Sequence, residues 1–393
     1  MTSYDETNRD FDEIEIKLLE DKKDLIDFFL NDFVLDSEGA YRDRVQEIIY
    51  NDKSKYLGNI VNDKRSLKGI YYYTNGDIYL GDWEDDKFNG KGIYIFAKGE
   101  RYEGELANGL KNGYGEYFYI NGNIYKGEWF NDRRNGKGVY TYFLTEEQYN
   151  GEWRNGLKSG RGIFYYSNGD VYEGEFYNGV KHGNGYIKMK NGNEFKGRWE
   201  NDQLVGECEL RYSNGDFCKC EFRNNLKNGY GTYRYQSGIT YEGNFANDCF
   251  EGNGTLRYTN GDNYKGNFKH GLKNGQGIYT FSNGDYYNGE WLDDKKNGFG
   301  TYNYKIKGDI YEGEWRNNKK HGQGIYRYQN GDIYKGNYSD GNKDGFGKIV
   351  WSTGELYEGL WKNDMMHGDG KLVDKEKEEH RIRFNMNYVD SVY

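Results

Sequence analysis

Residues 112–129 read NGYGEYFYINGNIYKGEW, and nearly the same string returns 23 residues later. Aromatic residues alternate with polar ones on both sides of an Asn-Gly pair, which is the pattern of a β-hairpin. The register decides what such a hairpin can build. A two-residue Asn121-Gly122 turn would pair Ile120 with Asn123 and face Tyr117 and Tyr119 away from Tyr125 and Trp129. A three-residue loop, Ile120-Asn121-Gly122 with its glycine in the left-handed region, pairs Tyr119 with Asn123, Tyr117 with Tyr125 and Gly115 with Gly127. The second register gathers every ring on one face, so it is the expected one. Glycines weaken strand interiors, and the Gly115–Gly127 pair is expected to make room for rings of the neighbouring hairpin.

The Tyr-x-Gly-x-(Trp/Phe) element recurs from Tyr79 through Tyr102, Tyr125, Tyr149, Tyr172, Phe195, Cys218, Tyr241, Tyr264, Tyr287, Tyr311, Tyr334 and Tyr357, with a worn copy at Tyr56. The period is 23, with 24-residue steps after Tyr125 and Tyr287, where the extra residue falls at a hairpin turn and marks it as an exposed tip. The repeat core is expected to be Tyr79, Tyr102, Tyr125, Trp129, Tyr149, Trp153, Tyr172, Tyr241, Tyr264, Tyr287, Trp291, Tyr311, Trp315, Tyr334, Tyr357 and Trp361. Stacked hairpins of this kind predict an all-β repeat, an elongated single-layer antiparallel sheet on the order of 120 Å long at about 4.8 Å per strand. The organisation read from the pattern is an acidic helical segment over 1–55, a degenerate repeat over 56–78, the array over 79–370, and a capping hairpin with tail over 371–393.

Composition bounds the function. The 393 residues include 57 Gly, 42 Tyr and no Pro, so the core is aromatic rather than aliphatic. Residues 1–36 carry twelve acids and four bases, which is −8 of the total −10 and leaves the array close to neutral. That balance excludes a nucleic-acid binder that works through a basic footprint. No signal-like start and no apolar run of about eighteen residues is present, so a cytoplasmic chain is expected. Four cysteines in this length do not make a disulfide scaffold.

The string YEGEWRNNKKHGQGIYRYQNGD at residues 311–332 resembles the MORN (membrane occupation and recognition nexus) repeat, and the resemblance extends over thirteen copies from 79 to about 370. It implies elongated single-layer sheets that serve as scaffolds at membranes and cytoskeletal structures, some of which dimerise or grip a partner helix in the groove of the sheet. MORN arrays also occur fused to phosphatidylinositol phosphate kinases and SET-domain methyltransferases, but no such catalytic segment accompanies this array.

Three features depart from plain repetition. In GECELRYSNGDFCKCEF, residues 206–222, Cys208 and Cys220 stand at the paired glycine positions and Cys218 at the tyrosine. Two readings stay open, a zinc or redox site with Cys249 as a fourth ligand, or small buried thiols filling glycine positions. Bases recur at one repeat position, Lys111, Arg134, Lys158, Lys181, Lys227, Lys273, Lys296, Lys320 and Lys343, assigned to the connections between hairpins. Acids recur at the tips, Asp77, Glu100, Asp170, Asp216, Asp262, Asp285, Asp309, Asp332 and Glu355. The two long edges are therefore expected to differ in sign, with the basic one a partner-binding edge for an acidic protein or anionic lipid. Histidines 182, 321 and 367 share a further position and read as surface loop residues, too far apart to share a metal.

At the N-terminus, Ile14, Leu18, Leu25, Phe28, Phe29 and Phe33 fall at mostly helical spacing, and a second helix is expected from about Ser37 to Tyr50; together they would cap the array or dock a partner. At the other end KLVDKEKEEHRIRFNMNYV reads as an irregular closing hairpin, and Ser391-Val392-Tyr393 matches weakly a carboxylate-binding peptide ligand. No phosphate loop, zinc motif or catalytic triad stands out from the repeat, so no enzyme, cofactor or metal is expected. The function expected is a non-enzymatic scaffold that binds proteins through an aromatic ribbon, possible partners being a helical segment in the groove or a second copy. The alternative is a peripheral module for anionic phospholipids.

Overall fold

A computed structural model describes residues 22–34, 42 and 45–392. Two compact units divide the chain, Met1–Gln203 and Leu204–Tyr393. Among the described residues the first holds fourteen strands, Val45–Ile49 through Glu194–Glu200, and the second seventeen, Gln203–Arg211 through Tyr388–Val392. Within each unit every strand pairs antiparallel with its neighbours in sequence, so the topology is a single-layer meander. The expected register holds: Tyr117 pairs with Tyr125 and Gly115 with Gly127, while Tyr119 N donates to Asn123 O at 2.9 Å and Gly122 turns at φ 80°.

Both edges of each sheet are tight turns. The tips are three-residue loops, lengthened by one residue at 143–146 and 305–308, where the sequence has its 24-residue steps. The other edge consists of two-residue turns such as Asn131-Asp132 (φ 46° and 63°) and Asn155-Gly156 (φ 49° and 86°), the type I′ geometry that matches strand twist. Edge acids stitch the repeats together. Asp309 accepts hydrogen bonds from Tyr326 Oη at 2.8 Å and from Gln329 N at 2.9 Å in the next hairpin. On the opposite edge the carboxylates of Asp132, Asp294 and Asp364 accept from the backbone N–H of Lys111, Lys273 and Lys343 one repeat earlier, at 2.9, 3.0 and 2.8 Å. The tip acids are thus clamps between hairpins, and Asp170, Asp216 and Asp309 are buried.

The two faces of the sheet differ. One carries Tyr, Trp and the paired glycines. On the other, aliphatic residues concentrate at the start of the first unit, where Phe29 and Val34 of the helical segment 22–34 pack on Leu57, Ile70, Ile78, Leu80 and Ile95. Phe28 is exposed, and the ring of Phe33 is tilted against that of Phe29 with centroids 5.0 Å apart; Ile14 and Leu18 lie outside the described residues. The second expected helix is corrected in part: Val45–Ile49 is a strand paired with Lys55–Val61, and it supplies the edge while the helix covers a face. Residues 379–385 and 388–392 form the last hairpin, with Ser391 and Val392 in its ladder and Tyr393 outside the described residues.

Candidate functional site

Each repeat tyrosine lies flat across a glycine pair. Tyr287 is fully buried, and its hydroxyl donates to Glu290 O at 2.9 Å, where a bulge separates Gly289 from Trp291. A Cβ at Gly300 would stand 2.5 Å from Tyr287 Cε2. Two indoles meet the tyrosine edge-on: Trp291 of its own repeat and Trp315 of the next, both with centroids at 5.3 Å. Each indole N–H donates to a glycine carbonyl of the preceding repeat, Trp291 to Gly277 O and Trp315 to Gly300 O, both at 3.1 Å. The ring system is therefore continuous through a run of repeats, and no other element among the described residues covers this face. In the first unit a cleft of about 300 Å³ opens on it between Phe88, Tyr94, Phe96, Tyr102 and Lys111.

The row of bases belongs to this face rather than to an exposed edge. Arg134 pairs with Trp129 two residues after the Asn131-Asp132 turn, which points its side chain to the side of the rings. Lys111 Nζ stands 5.1 Å from the Trp129 ring and 5.2 Å from Tyr117; Lys181 stands 4.5 Å from Trp199. Lys158 lies 4.6 Å from Phe164, and Arg134 Cζ 4.3 Å from Trp153. In the second unit Lys227, Lys273, Lys296, Lys320 and Lys343 repeat the arrangement over Tyr233, Trp291, Trp315, Tyr326 and Trp361. The same position holds Phe88 and Phe250, which stack on Tyr79 and Tyr241 at 3.9 and 3.7 Å. A position that accepts either Lys or Phe is one that lies on a ring, and this equivalence in the sequence is the signal that could have placed the lysines.

Burial over the rings pushes the Lys111, Lys158, Lys181 and Lys343 ammoniums below the usual lysine range. Lys296 and Lys320 fall furthest, to about 8 from 10.5, by burial and by the charge of the neighbouring lysines. Buried tyrosines such as Tyr287 and Tyr311 move the other way, above the ordinary 10.0. Unfolded lysines hold their proton up to 10.5 while folded Lys296 and Lys320 release it near 8, so the unfolded state binds more protons in that interval and stability rises with pH there. Above 10.0 the unfolded tyrosines ionise first, and stability falls. The melting temperature, followed by circular dichroism, is expected to peak between about pH 8 and 10. A steady decline from pH 7 upward would contradict this placement of the lysines.

Cys208 faces Cys220 across the ladder, as the register requires, and the buried sulfurs of Cys218 and Cys220 are side by side on the same face. Cys249 is exposed and is not brought to them. Among the described residues no group of three or more His, Cys, Asp or Glu side chains is placed to hold a metal. The three histidines correct the loop expectation: all sit half-buried in strands, and Nδ1 of His182 and of His367 is buried without a hydrogen-bond partner. No helix among the described residues is long and apolar enough to cross a membrane.

Two solved structures illustrate the likeness to known folds. The TCP10 domain of Danio rerio CPAP is 10% identical over 50% of this chain and 93% of its own, with a TM-score of 0.31. The SAS-4 TCP domain of Drosophila melanogaster, solved with a proline-rich motif of Ana2, is 18% identical over 54% of this chain and 96% of its own, with a TM-score of 0.23. No curated protein matches. A family profile, the MORN repeat, matches fourteen segments between residues 56 and 375, including the copy at Tyr56. Such arrays are in general non-enzymatic binding modules, and no catalytic family is indicated. With its ring-over-glycine packing repeated through both units and the profile matched over most of its length, this chain belongs to the MORN repeat family.

Proposed function

We propose that the chain is a non-catalytic scaffold that holds partner proteins on its aromatic face, at a membrane-associated cytoskeletal structure in the cytoplasm. The observation that carries the reading is the uncovered row of half-buried cations over Tyr and Trp rings, repeated at one position through each unit. Aromatic rings and desolvated charges are the groups that dominate protein recognition, and here they recur at fixed spacing. The place in the cell follows the resemblance of the repeat alone. A lipid-binding edge rested on exposed bases, and these bases face the rings instead.

Photo-cross-linking from p-benzoylphenylalanine at Tyr328, on the aromatic face, and at Lys348, on the opposite face, tests the reading. Protein adducts specific to the Tyr328 site, unchanged when lipid is removed by detergent, are expected. Adducts from Lys348 alone, or adducts that require anionic liposomes, would overturn it.

A further inference from the structure

Lys273, Lys296, Lys320 and Lys343 occupy four consecutive repeats of the second unit, between Phe250 before them and Met366 after. Their built-in counter-charges are uneven. Lys273 Nζ lies 3.3 Å from Asp294, and Lys343 sits beside Asp364, which binds its backbone N–H. At the two central rungs the corresponding residues are Asn318 and Gly341, which carry no charge. Among the described residues neither Lys296 nor Lys320 forms an ion pair, although each ammonium stands over three rings. Lys296 lies 4.5 to 5.5 Å from Trp315, Tyr302 and Tyr287, and Lys320 4.6 to 5.4 Å from Tyr326, Tyr311 and Tyr338. Asp364 and Asp309 attract Lys320 from beyond ion-pair distance, against repulsion from Lys343 and Lys307, and among the described residues the only charge that weighs on Lys296 is Lys320 itself, so these two cations have room for anions from outside.

Spacing selects the carrier. Successive rungs are two strands apart, about 9.6 Å. In a β-strand every third residue changes face, so three-residue spacing fails there, and even spacing gives about 6.6 or 13 Å. An α-helix offers a heptad step of about 10.5 Å with a drift of about 20°, which misses by about 2.7 Å over three steps. A polyproline-II chain has three residues per turn at about 3.1 Å each, so every third side chain returns to one face after about 9.3 Å and misses by about 0.9 Å over the run. It has no internal hydrogen bonds to break while following the twist of a sheet, and aromatic grooves recognise it through its preformed shape.

We propose that the row Lys273, Lys296, Lys320 and Lys343 is a docking track for an acidic polyproline-II segment of a partner, with Asp or Glu at every third position so that adjacent carboxylates meet Lys296 and Lys320. The 393 residues contain no proline, and the occupant proposed is a segment of a partner protein. The proposal rests on the reading of this face as a protein-binding one. Binding returns full charge to two cations that burial over the rings has weakened, so it takes up protons near pH 8.

Fluorescence anisotropy with the full chain and labelled peptides tests it. The probes are repeating Glu-Pro-Pro, its Gln-Pro-Pro counterpart, a peptide of the same composition with its glutamates clustered, and a helical peptide with Glu at heptad spacing. Glu-Pro-Pro is expected to bind about tenfold or more tighter than the other three, and to weaken about tenfold in Lys296→Gln and again in Lys320→Gln, but not in Lys348→Gln. Its affinity should fall between pH 7 and 9. Equal binding of the clustered peptide would reduce the track to unspecific charge and overturn the proposal. Tighter binding of the heptad helix would overturn the polyproline-II occupant and leave the protein-binding face standing. If no peptide binds, this occupant is wrong, and the cross-linking at Tyr328 decides separately whether the face binds protein at all. The panel on the unmodified chain suffices should a variant fold poorly.

Discussion

Tyr287→Ala is expected to destabilise the second unit by about 3–5 kcal/mol, enough to unfold a marginally stable array near room temperature. The ring is fully buried between Trp291 and Trp315 with Lys296 above it, so its removal leaves a hole lined by two indoles and a cation. The backbone cannot collapse into that hole, because the strands on both sides are held in register by the Gly289–Gly300 pair. The carbonyl of Glu290 at the bulge also loses its hydroxyl donor. Tyr287→Phe keeps the ring and removes only that bond, and should lose about 1 kcal/mol. Urea unfolding followed by tryptophan fluorescence measures both. Since each repeat touches only its neighbours, the alanine variant should also broaden the transition, as the array loses cooperativity at a weak link.

Gly300→Ala should lose about 1–3 kcal/mol, and Gly300→Val more, although neither removes a contact. The added Cβ enters space filled by the tyrosine, 2.5 Å from Cε2, while the partner strand blocks retreat. Gly300 is not in the left-handed region, so the effect comes from crowding rather than backbone strain. The chain contains its own control. In the repeat where the tyrosine is replaced by Cys218, Gly231 keeps the position of Gly300, while its partner in the pair, at the position of Gly289, is Cys220, and the strand keeps its register. A side chain on one member of the glycine pair is thus compatible with the fold when the ring is absent. The two substitutions should therefore couple: in the Tyr287→Ala background Gly300→Ala should lose less than half its effect, which a double-mutant cycle in urea reads directly. Additive losses would show that the glycine serves some other purpose.

These effects explain how much was legible in the sequence. The hairpin register could be read because slipping by one residue would scatter Tyr117, Tyr119 and Tyr125 over both faces, and the same logic placed Cys208 opposite Cys220. The lysine row is not legible in the same way, because the segment before each lysine has the composition of a longer connection. It is a two-residue turn, with left-handed Asn or Asp (His270 before Lys273) and then Asp, Asn or Gly, and it returns the chain at once into a strand whose second residue faces the rings. Phe88 and Phe250 at the equivalent position were the cue. In the sequence the tip acids show only their charge, because their hydrogen bonds to the following hairpin depend on contacts 17 and 20 residues away that composition does not reveal. Helical periodicity suggested a second N-terminal helix; the β-branched stretch Val45–Ile49 instead pairs with an open strand edge, where tertiary pairing outweighs local pattern.

The central claim is that the lysine row lies over the rings as half-buried, uncovered cations. Nuclear magnetic resonance of the full chain with isotope-labelled lysine tests it most directly, by titrating the ε-methylene signals and assigning Lys296 and Lys320 through Lys→Arg variants. The account predicts upfield, ring-shifted signals for both residues, with titration midpoints near 8. Unshifted signals that titrate with every other lysine near 10.5 would contradict it.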